Sequence, residues 1–139
     1  LCTLLLNGCG SPIGPIPGGN LKGEVMPWPT NWSIAEECEN VLLETNPTSP
    51  YSVTVWGVGG QQKFYVAAGE RDNRWAQYLE KYPEVTLSVD GKLYAAQAQR
   101  VQESAEFEQI RQAFVAKYDI DPDPDFKTEG ALYRLVAAQ

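Results

Sequence analysis

The stretch FYVAAGERDNRWAQYLEKYPEVTLSVDGKLY, residues 64–94, constrains the fold most, because it specifies two strands and a helix together with their boundaries. A short apolar run at residues 64–68 ends at a glycine, which is typical of a buried strand leaving a sheet. Asp72 is a candidate helix cap. Apolar and aromatic side chains then recur at helical spacing until Pro83 stops the helix. The stretch predicts a strand, a short helix and a second strand.

The second strand, residues 85–89, alternates apolar and polar side chains and is followed by an Asp-Gly pair at residues 90–91. Asp-Gly favours a two-residue hairpin, because that turn needs positive φ at both central positions. Such a turn places Leu87 opposite Tyr94. We therefore expect an antiparallel hairpin with this register.

The rest of the chain is richer in strands than in helices. A capping-box pair at Ser33 and Glu36 predicts a short helix over residues 34–38, and Ser104 is the predicted cap of a longer helix with an apolar stripe. Further strands are predicted at residues 41–45, 51–58, 61–68, 92–101 and 131–136. The main order is β-β-β-α-β-β-α-β with two short helices. An antiparallel sheet this long in a small domain tends to curl and close, so the fold class is α+β, mainly β.

Composition excludes several kinds of function. The chain has 139 residues, which suits one folded domain, and a formal net charge of -7 without a basic stripe, which disfavours nucleic acid as a partner. It contains no histidine, so the commonest general base and the commonest transition-metal ligand are missing. The acidic residues of 119–125 lack the Gly and Glu spacing of a calcium loop, and no metal site is predicted. Any chemistry must come from carboxylates or from a cofactor.

Residues 1–9 are interpreted as the remnant of a lipoprotein signal peptide, because Leu6, Asn7, Gly8 and Cys9 resemble a lipobox whose cysteine is lipidated. The alternatives are a truncated gene start and a chance spacing of cysteines. The lipobox interpretation predicts a protein anchored by lipid to a bacterial membrane, on the extracytoplasmic face of the cell envelope. It also leaves Cys38 as a free thiol, with no internal disulfide.

A segment rich in proline and glycine, residues 10–20, follows the predicted lipidation site. Its composition cannot build a core and is typical of a flexible tether. The predicted organisation is therefore a signal remnant (residues 1–9), a tether (residues 10–20) and a folded domain (residues 21–139).

The element order and the residues of 41–101 together resemble the split β-barrel of the pyridoxamine 5'-phosphate oxidase-like and deazaflavin-dependent nitroreductase-like proteins. The resemblance is carried by YVAAG at 65–69, Arg74-Trp75, Tyr82-Pro83 and the alternation of Val85, Leu87 and Val89. The whole chain looks most like small bacterial lipoproteins of this barrel type. The resemblance implies a split antiparallel β-barrel that forms a homodimer and binds FMN or a deazaflavin across the interface.

Carried over by this resemblance, the cofactor-binding residues are Ser52, Thr54, Ala68, Gly69, Arg71, Asn73, Arg74 and Trp75. The phosphate would lie at the N-terminus of the first helix, where free amides and the helix dipole favour anions. Arg71 and Arg74 are the candidate phosphate clamp; they are otherwise solvated charges at the helix entry. Trp75 and the aromatic side chains after it either stack on the flavin or belong to the core.

The predicted function is that of a lipid-anchored, extracytoplasmic split-barrel protein that binds a flavin-type cofactor. Whether it is an enzyme is left open. In an oxidoreductase the cofactor would carry the hydride, and no residue stands out as catalytic. The alternative is a non-catalytic envelope lipoprotein that uses the barrel to bind a small ligand or a protein.

Overall fold

The computed structural model describes residues 10–139. The α+β, mainly β class is confirmed, with three helices in the described residues rather than two. The elements are β1 (Glu24–Val25), β2 (Val41–Thr45), β3 (Tyr51–Val55), β4 (Gly57–Gly59), β5 (Phe64–Ala68), α1 (Arg74–Lys81), β6 (Glu84–Val89), β7 (Lys92–Arg100), α2 (Ser104–Tyr118), α3 (Phe126–Glu129) and β8 (Ala131–Ala137).

The main sheet has the strand order β3-β2-β6-β7-β8-β5-β4, and each neighbouring pair in it is antiparallel. Its two outermost strands, β3 and β4, are separated in the chain by Trp56 alone. The two ends of the sheet therefore meet at this residue, and the sheet curls into a split barrel. Off this path, β1 pairs in parallel with the start of β7.

The predicted hairpin is confirmed in type and in register. Leu87 lies opposite Tyr94 across β6 and β7. Asp90 and Gly91 have φ values of 52° and 80°, the left-handed conformations that a two-residue turn between twisted strands requires.

The strand predicted over residues 51–58 is divided in two. Val55 pairs with Val41 in β2, whereas Gly57 pairs with Val66 in β5. The chain thus changes its partner strand at Trp56, which forms a corner of the barrel. Alternation of side chains continues through such a corner, so the pattern alone does not reveal it.

The predicted helix caps are displaced. Asn73 rather than Asp72 is the N-cap of α1, and Glu103 rather than Ser104 is the N-cap of α2. The capping-box helix is only a 3-10 turn, Ser33–Ala35. The hydroxyl of Ser33 contacts Asn31 Oδ1 at 3.0 Å, so the side chain bonds locally instead of capping a helix.

Two apolar clusters lie on opposite sides of the sheet. The interior of the barrel is filled by fully buried side chains that include Phe64, Leu43 and Leu87. The outer face of β4, β5 and β8 is covered by α2, whose predicted stripe buries Phe107 and Phe114. The second cluster leaves a cleft at one side of α2.

Cys38 is buried and disulfide-bonded, and it is the only cysteine of residues 10–139. The prediction of a free thiol at this position is therefore wrong. Cys9, the predicted lipidation site, lies outside the described residues, and lipidation stays a prediction. No helix within residues 10–139 combines the length and the apolar character needed to cross a membrane.

Candidate functional site

A cleft of about 440 Å³ opens between the barrel, the start of α1 and the second half of α2. We call it the ring cleft. The barrel contributes the corner at Trp56 and the ends of β3 and β5, whereas the loop after α2 closes the far side. Its lining residues are Thr54, Val55, Trp56, Ala67, Gly69, Asn73, Trp75, Arg111, Phe114, Val115, Ile120, Asp121, Pro122, Asp123, Phe126 and Leu132.

Aromatic rings form much of the wall of the ring cleft. The indole of Trp56 stacks on the ring of Tyr118 with a centroid distance of 4.3 Å and an interplanar angle of 6°. Trp56 nevertheless keeps 39% of its surface exposed, so one part of this large ring remains available to a ligand. Phe114 and Phe126 line the cleft from α2 and α3. The arrangement suits a flat, apolar group.

Charge is distributed unevenly around the ring cleft. Asp121 and Asp123 lie on the loop after α2. Arg111 is the one cation among the described residues that line the ring cleft. It donates two hydrogen bonds to Glu108, at 3.1 Å and 2.7 Å, and is neutralised by it. The end of the cleft beside α2 is therefore unfavourable for an anion.

A second, smaller cavity of about 220 Å³ adjoins the ring cleft. Thr54, Asn73 and Trp75 line both cavities. The smaller cavity adds Arg74, whose guanidinium lies 5.8 Å from the centroid of the Tyr51 ring. We call it the arginine cavity. The two cavities together wrap around the N-terminus of α1.

The structure brings together five of the eight predicted site residues. Thr54, Gly69, Asn73 and Trp75 line the ring cleft, and Arg74 lines the arginine cavity. Trp75 is 8% exposed and also belongs to the barrel core. The two alternatives for this side chain, a place in the ligand site and a place in the core, therefore each describe part of its position.

The remaining three predicted residues do not line either cavity. Ala68 and Ser52 are buried, and the backbone of Ser52 pairs with Gly18. Arg71 donates from Nε to the carbonyl of Gly130 and from Nη2 to the carbonyl of Lys127, both at 2.7 Å. Arg71 thereby stabilises the junction of α3 and β8. The two arginines do not converge on one ligand position.

A half-buried polar group fixes the start of α2 to the sheet. Tyr65 donates to Glu106 Oε2 at 2.7 Å, and Arg134 Nη1 contacts Glu106 Oε1 at 2.5 Å. Burial raises the pKa of Glu106, but the hydrogen bonds from Arg134 and Tyr65 outweigh it and hold the pKa below its usual value. Burial and the bond to Glu106 raise the pKa of Tyr65 to about 12. Tyr65 is therefore a neutral donor at neutral pH.

The end of α2 is fixed in the same way. Lys117 Nζ donates to the carbonyls of Ala35 at 3.0 Å and Gly57 at 2.6 Å. The hydroxyl of Tyr118 donates to the carbonyl of Glu39 at 2.8 Å and accepts from the amide of Gly57 at 2.9 Å. Burial lowers the pKa of Lys117 and raises that of Tyr118. Both ends of the helix that forms the cleft wall are thus held against the barrel.

Comparison with known proteins identifies the fold. No protein-family model and no curated protein matches the chain. Among solved structures, a candidate pyridoxamine 5'-phosphate oxidase from Listeria innocua is similar at a TM-score of 0.63 and 12% identity, covering 78% of this chain and 90% of that one. The chain has the split β-barrel fold.

Two further solved structures that resemble this chain are of proteins named for different ligands. A FAD-binding protein from Mesorhizobium loti is similar at a TM-score of 0.58 and 11% identity, covering 78% of this chain and 87% of that one. The haem-storage protein HutZ from Vibrio cholerae is similar at a TM-score of 0.61 and 17% identity, with the same coverage of 78% and 87%. A split barrel therefore serves several ligands, and the ligand has to be argued from the site.

Sequence reasoning did not find the outer wall of the ring cleft. Trp56, Arg111, Ile120 and Phe126 were not among the predicted site residues, and residues 119–125 were considered as a binding site only in the form of a calcium loop. The one available signal was Trp56, a large aromatic residue on a strand next to a Gly-rich turn. The other side chains reach the cleft only because α2 packs on this face of the split barrel.

Proposed function

We propose that the protein binds a flavin-type cofactor, with the ring system in the ring cleft and the phosphate in the arginine cavity. One observation carries the proposal: a cleft with aromatic walls lies next to a cavity that contains a cation, and both are at the N-terminus of α1. A flavin nucleotide has the same two parts, a flat ring system and an anionic tail.

The size and the walls of the ring cleft support this proposal. Its volume of about 440 Å³ falls within the range of roughly 300–1,000 Å³ that is usual for small-molecule sites. Trp56 offers a ring face that Tyr118 already holds in place, and Phe114 lies on α2. Stacking on a fixed aromatic ring costs little side-chain entropy.

The charges support one orientation of the ligand. Asp121 and Asp123 repel an anion from the α2 end, whereas Arg74 and the first amides of α1 attract one at the other end. The arginine cavity of about 220 Å³ suits one phosphate group better than the diphosphate and adenosine of FAD. We therefore propose FMN or a deazaflavin as the cofactor.

When bound, such a cofactor supplies hydride or electron transfer, which would make the protein an oxidoreductase. The contribution of the chain itself is to hold the ring between apolar walls and to neutralise the phosphate through Arg74. The acidic residues that line the ring cleft, Asp121 and Asp123, are exposed to solvent. We assign neither of them a role in proton transfer.

The experiment is a titration of the purified protein with FMN and with a deazaflavin, followed by quenching of tryptophan fluorescence. Arg74→Gln removes a charge-assisted bond to the phosphate, and we expect roughly ten- to hundredfold weaker FMN binding, from the usual 1.5–3 kcal/mol of such a bond. Lys81→Gln is the matched control, because it removes the same charge from the far end of α1. Saturable quenching that is equally strong in Arg74→Gln would contradict the assignment of the phosphate position.

Haem is the competing ligand, because HutZ is also a split barrel. The chain has no histidine to ligate the iron, and its one cysteine within residues 10–139 is in a disulfide. We expect the absorption spectrum after mixing with haemin to show no shifted Soret band and no saturation. A saturable Soret shift, together with no response to flavins, would replace the flavin proposal with a haem-binding one.

We also propose that Cys9 is lipidated and that the lipid holds the protein at the extracytoplasmic face of the cell envelope. An internal disulfide of Cys38 competes with this proposal: processing at Cys9 would remove Cys2, and the lipid would occupy the thiol of Cys9. The intact mass distinguishes the two, since a lipidated chain carries the added acyl mass and an oxidised chain gains two hydrogens on reduction. Light scattering of the same sample tests the proposed homodimer.

A further inference from the structure

The segment of residues 10–19, which we call the strap, lies folded along the outer edge of β3. Within it, Ile13 and Ile16 exchange two backbone hydrogen bonds of 2.9 Å and 2.8 Å. Gly18 exchanges two more with Ser52, both of 2.9 Å. The strap is thus a closed turn that extends the edge of the barrel by one backbone ladder step.

The strap depends on two specific glycines. A Cβ atom on Gly18 would lie 2.5 Å from the carbonyl oxygen of Gly10 and 2.6 Å from the nitrogen of Pro12. A Cβ atom on Gly10 would overlap the carbonyl oxygen of Asn20. Pro12 is fully buried. These close approaches lie within residues 10–20, so the sequence encodes a compact folded turn rather than a spacer. The Gly18–Ser52 pair joins this turn to the barrel.

The strap forms one wall of the arginine cavity. Its residues 14–17 lie on one side, and Tyr51, Asn73 and Arg74 lie on the other. The described residues that line this cavity include a cation and no acidic residue. At about 220 Å³, the cavity has about seven times the ~30 Å³ that a water molecule occupies in the liquid. This volume is large enough for a phosphate group, which has five heavy atoms.

We propose that the strap is the roof of the phosphate subsite and makes the protein select phosphorylated flavins over flavins without a phosphate. The inference rests on the function proposed above. Arg74 itself is exposed. A phosphate between its guanidinium and the strap would be partly shielded from water, and the attraction between the two charges would become stronger. The ring cleft lies outside the strap, so the ring system gains nothing from it.

The experiment compares FMN with riboflavin, which has the same ring system and no phosphate. Gly18→Ala disrupts the folded strap, because its Cβ would clash with Gly10 and Pro12 inside it. We expect about tenfold or greater loss of FMN affinity, the size of one weakened charge-assisted bond, with riboflavin affinity unchanged. Gly19→Ala is the matched control, because its Cβ would meet only the carbonyl oxygen of Pro50 at 3.7 Å. It should bind both ligands like the wild type. Circular dichroism and thermal melting check that both variants are folded.

A second measurement uses the wild-type protein and does not depend on the folding of a variant. FMN should slow hydrogen exchange of the Gly18 and Ser52 amides, which join the strap to β3, and riboflavin should not. Equal protection by the two ligands, or FMN affinities that are equal in Gly18→Ala and Gly19→Ala, would overturn the role of the strap and leave the proposed cofactor standing. Tighter FMN binding in Gly18→Ala would overturn it too, since the strap would then obstruct the site. A wild-type protein that binds neither ligand would overturn both proposals.

Discussion

The interior of the barrel and the ring cleft are built from the same kinds of side chains but differ in how completely they are filled. Phe64 inside the barrel is fully buried and packs edge-on against Trp32, with ring centroids 5.1 Å apart. Phe114 on α2 is almost as well buried, yet it borders a cleft of about 440 Å³. The interior therefore provides stability, whereas the outer face, which α2 covers only in part, provides room for a ligand.

The largest effect that tests this difference is expected from paired phenylalanine substitutions. Phe64→Ala leaves a closed cavity, and we expect a loss of about 3–5 kcal/mol in the free energy of unfolding. Phe114→Ala enlarges a cleft that is already open, so the cavity contribution is smaller, and the loss should be clearly less than for Phe64→Ala. Urea denaturation of both variants measures the two losses. Equal losses would mean that the cleft is closed in solution, and would contradict the difference drawn here between the barrel interior and the ring cleft.

The next effect concerns the polar group that holds α2 on the outer face. Glu106→Gln removes the carboxylate that accepts from Tyr65 and Arg134, and we expect a loss of about 1.5–3 kcal/mol at pH 7. Since the pKa of Glu106 is lowered in the folded state, its ionised form stabilises the fold above its unfolded pKa of roughly 4.3. This contribution disappears as the pH falls through the folded pKa.

Denaturation at a series of pH values checks this prediction. The difference in stability between wild type and Glu106→Gln should be constant near neutral pH and should shrink once the pH falls below roughly 4. Glu108→Gln is the control on the same helix, because Glu108 is exposed and pairs only with neighbours on α2. It should have little effect at any pH. A difference that persists unchanged into acid would show that Glu106 acts through its shape rather than its charge.

A smaller effect separates the two arginines after β5. Arg71→Gln breaks two bonds from a charged donor to backbone carbonyls on an exposed surface, and we expect a loss of about 1–2 kcal/mol in stability. The affinity for FMN should not change, because Arg71 lines neither cavity. Arg74→Gln should show the opposite pattern, with weaker FMN binding and nearly wild-type stability. If Arg71→Gln also weakened FMN binding at a temperature where the variant is fully folded, this result would support a phosphate clamp formed by both arginines.

The sequence predicted those parts of the fold that depend on neighbouring residues. The register of Leu87 opposite Tyr94 follows from the turn between them, and the stripe of α2 follows from helical periodicity. The corner at Trp56 and the disulfide of Cys38 depend on contacts between distant segments, and both were missed. For the site, Asn73 and Arg74 were accessible as residues at the start of a helix. The separation of Arg71 from Arg74 was not, because it depends on how α3 packs beside β8.

The smallest effect distinguishes the site that the resemblance implied from the site that the structure supports. Gly69 marks the end of β5, but it has no positive φ, and a Cβ atom there would meet no atom within 4 Å. Gly69→Ala should therefore raise stability by about 0.4–1 kcal/mol through the unfolded state. Gly57→Ala is the contrasting variant, since its Cβ would overlap the ring of Phe64 and should strongly destabilise the barrel.

A phosphate held at Gly69 would be displaced by the methyl group that Gly69→Ala adds, whereas a phosphate held at Arg74 under the strap would not. Because Gly69 also lines the ring cleft, riboflavin is measured beside FMN. Retained FMN affinity in Gly69→Ala favours the arginine cavity, and a large loss for FMN but not for riboflavin would return the phosphate to the end of β5.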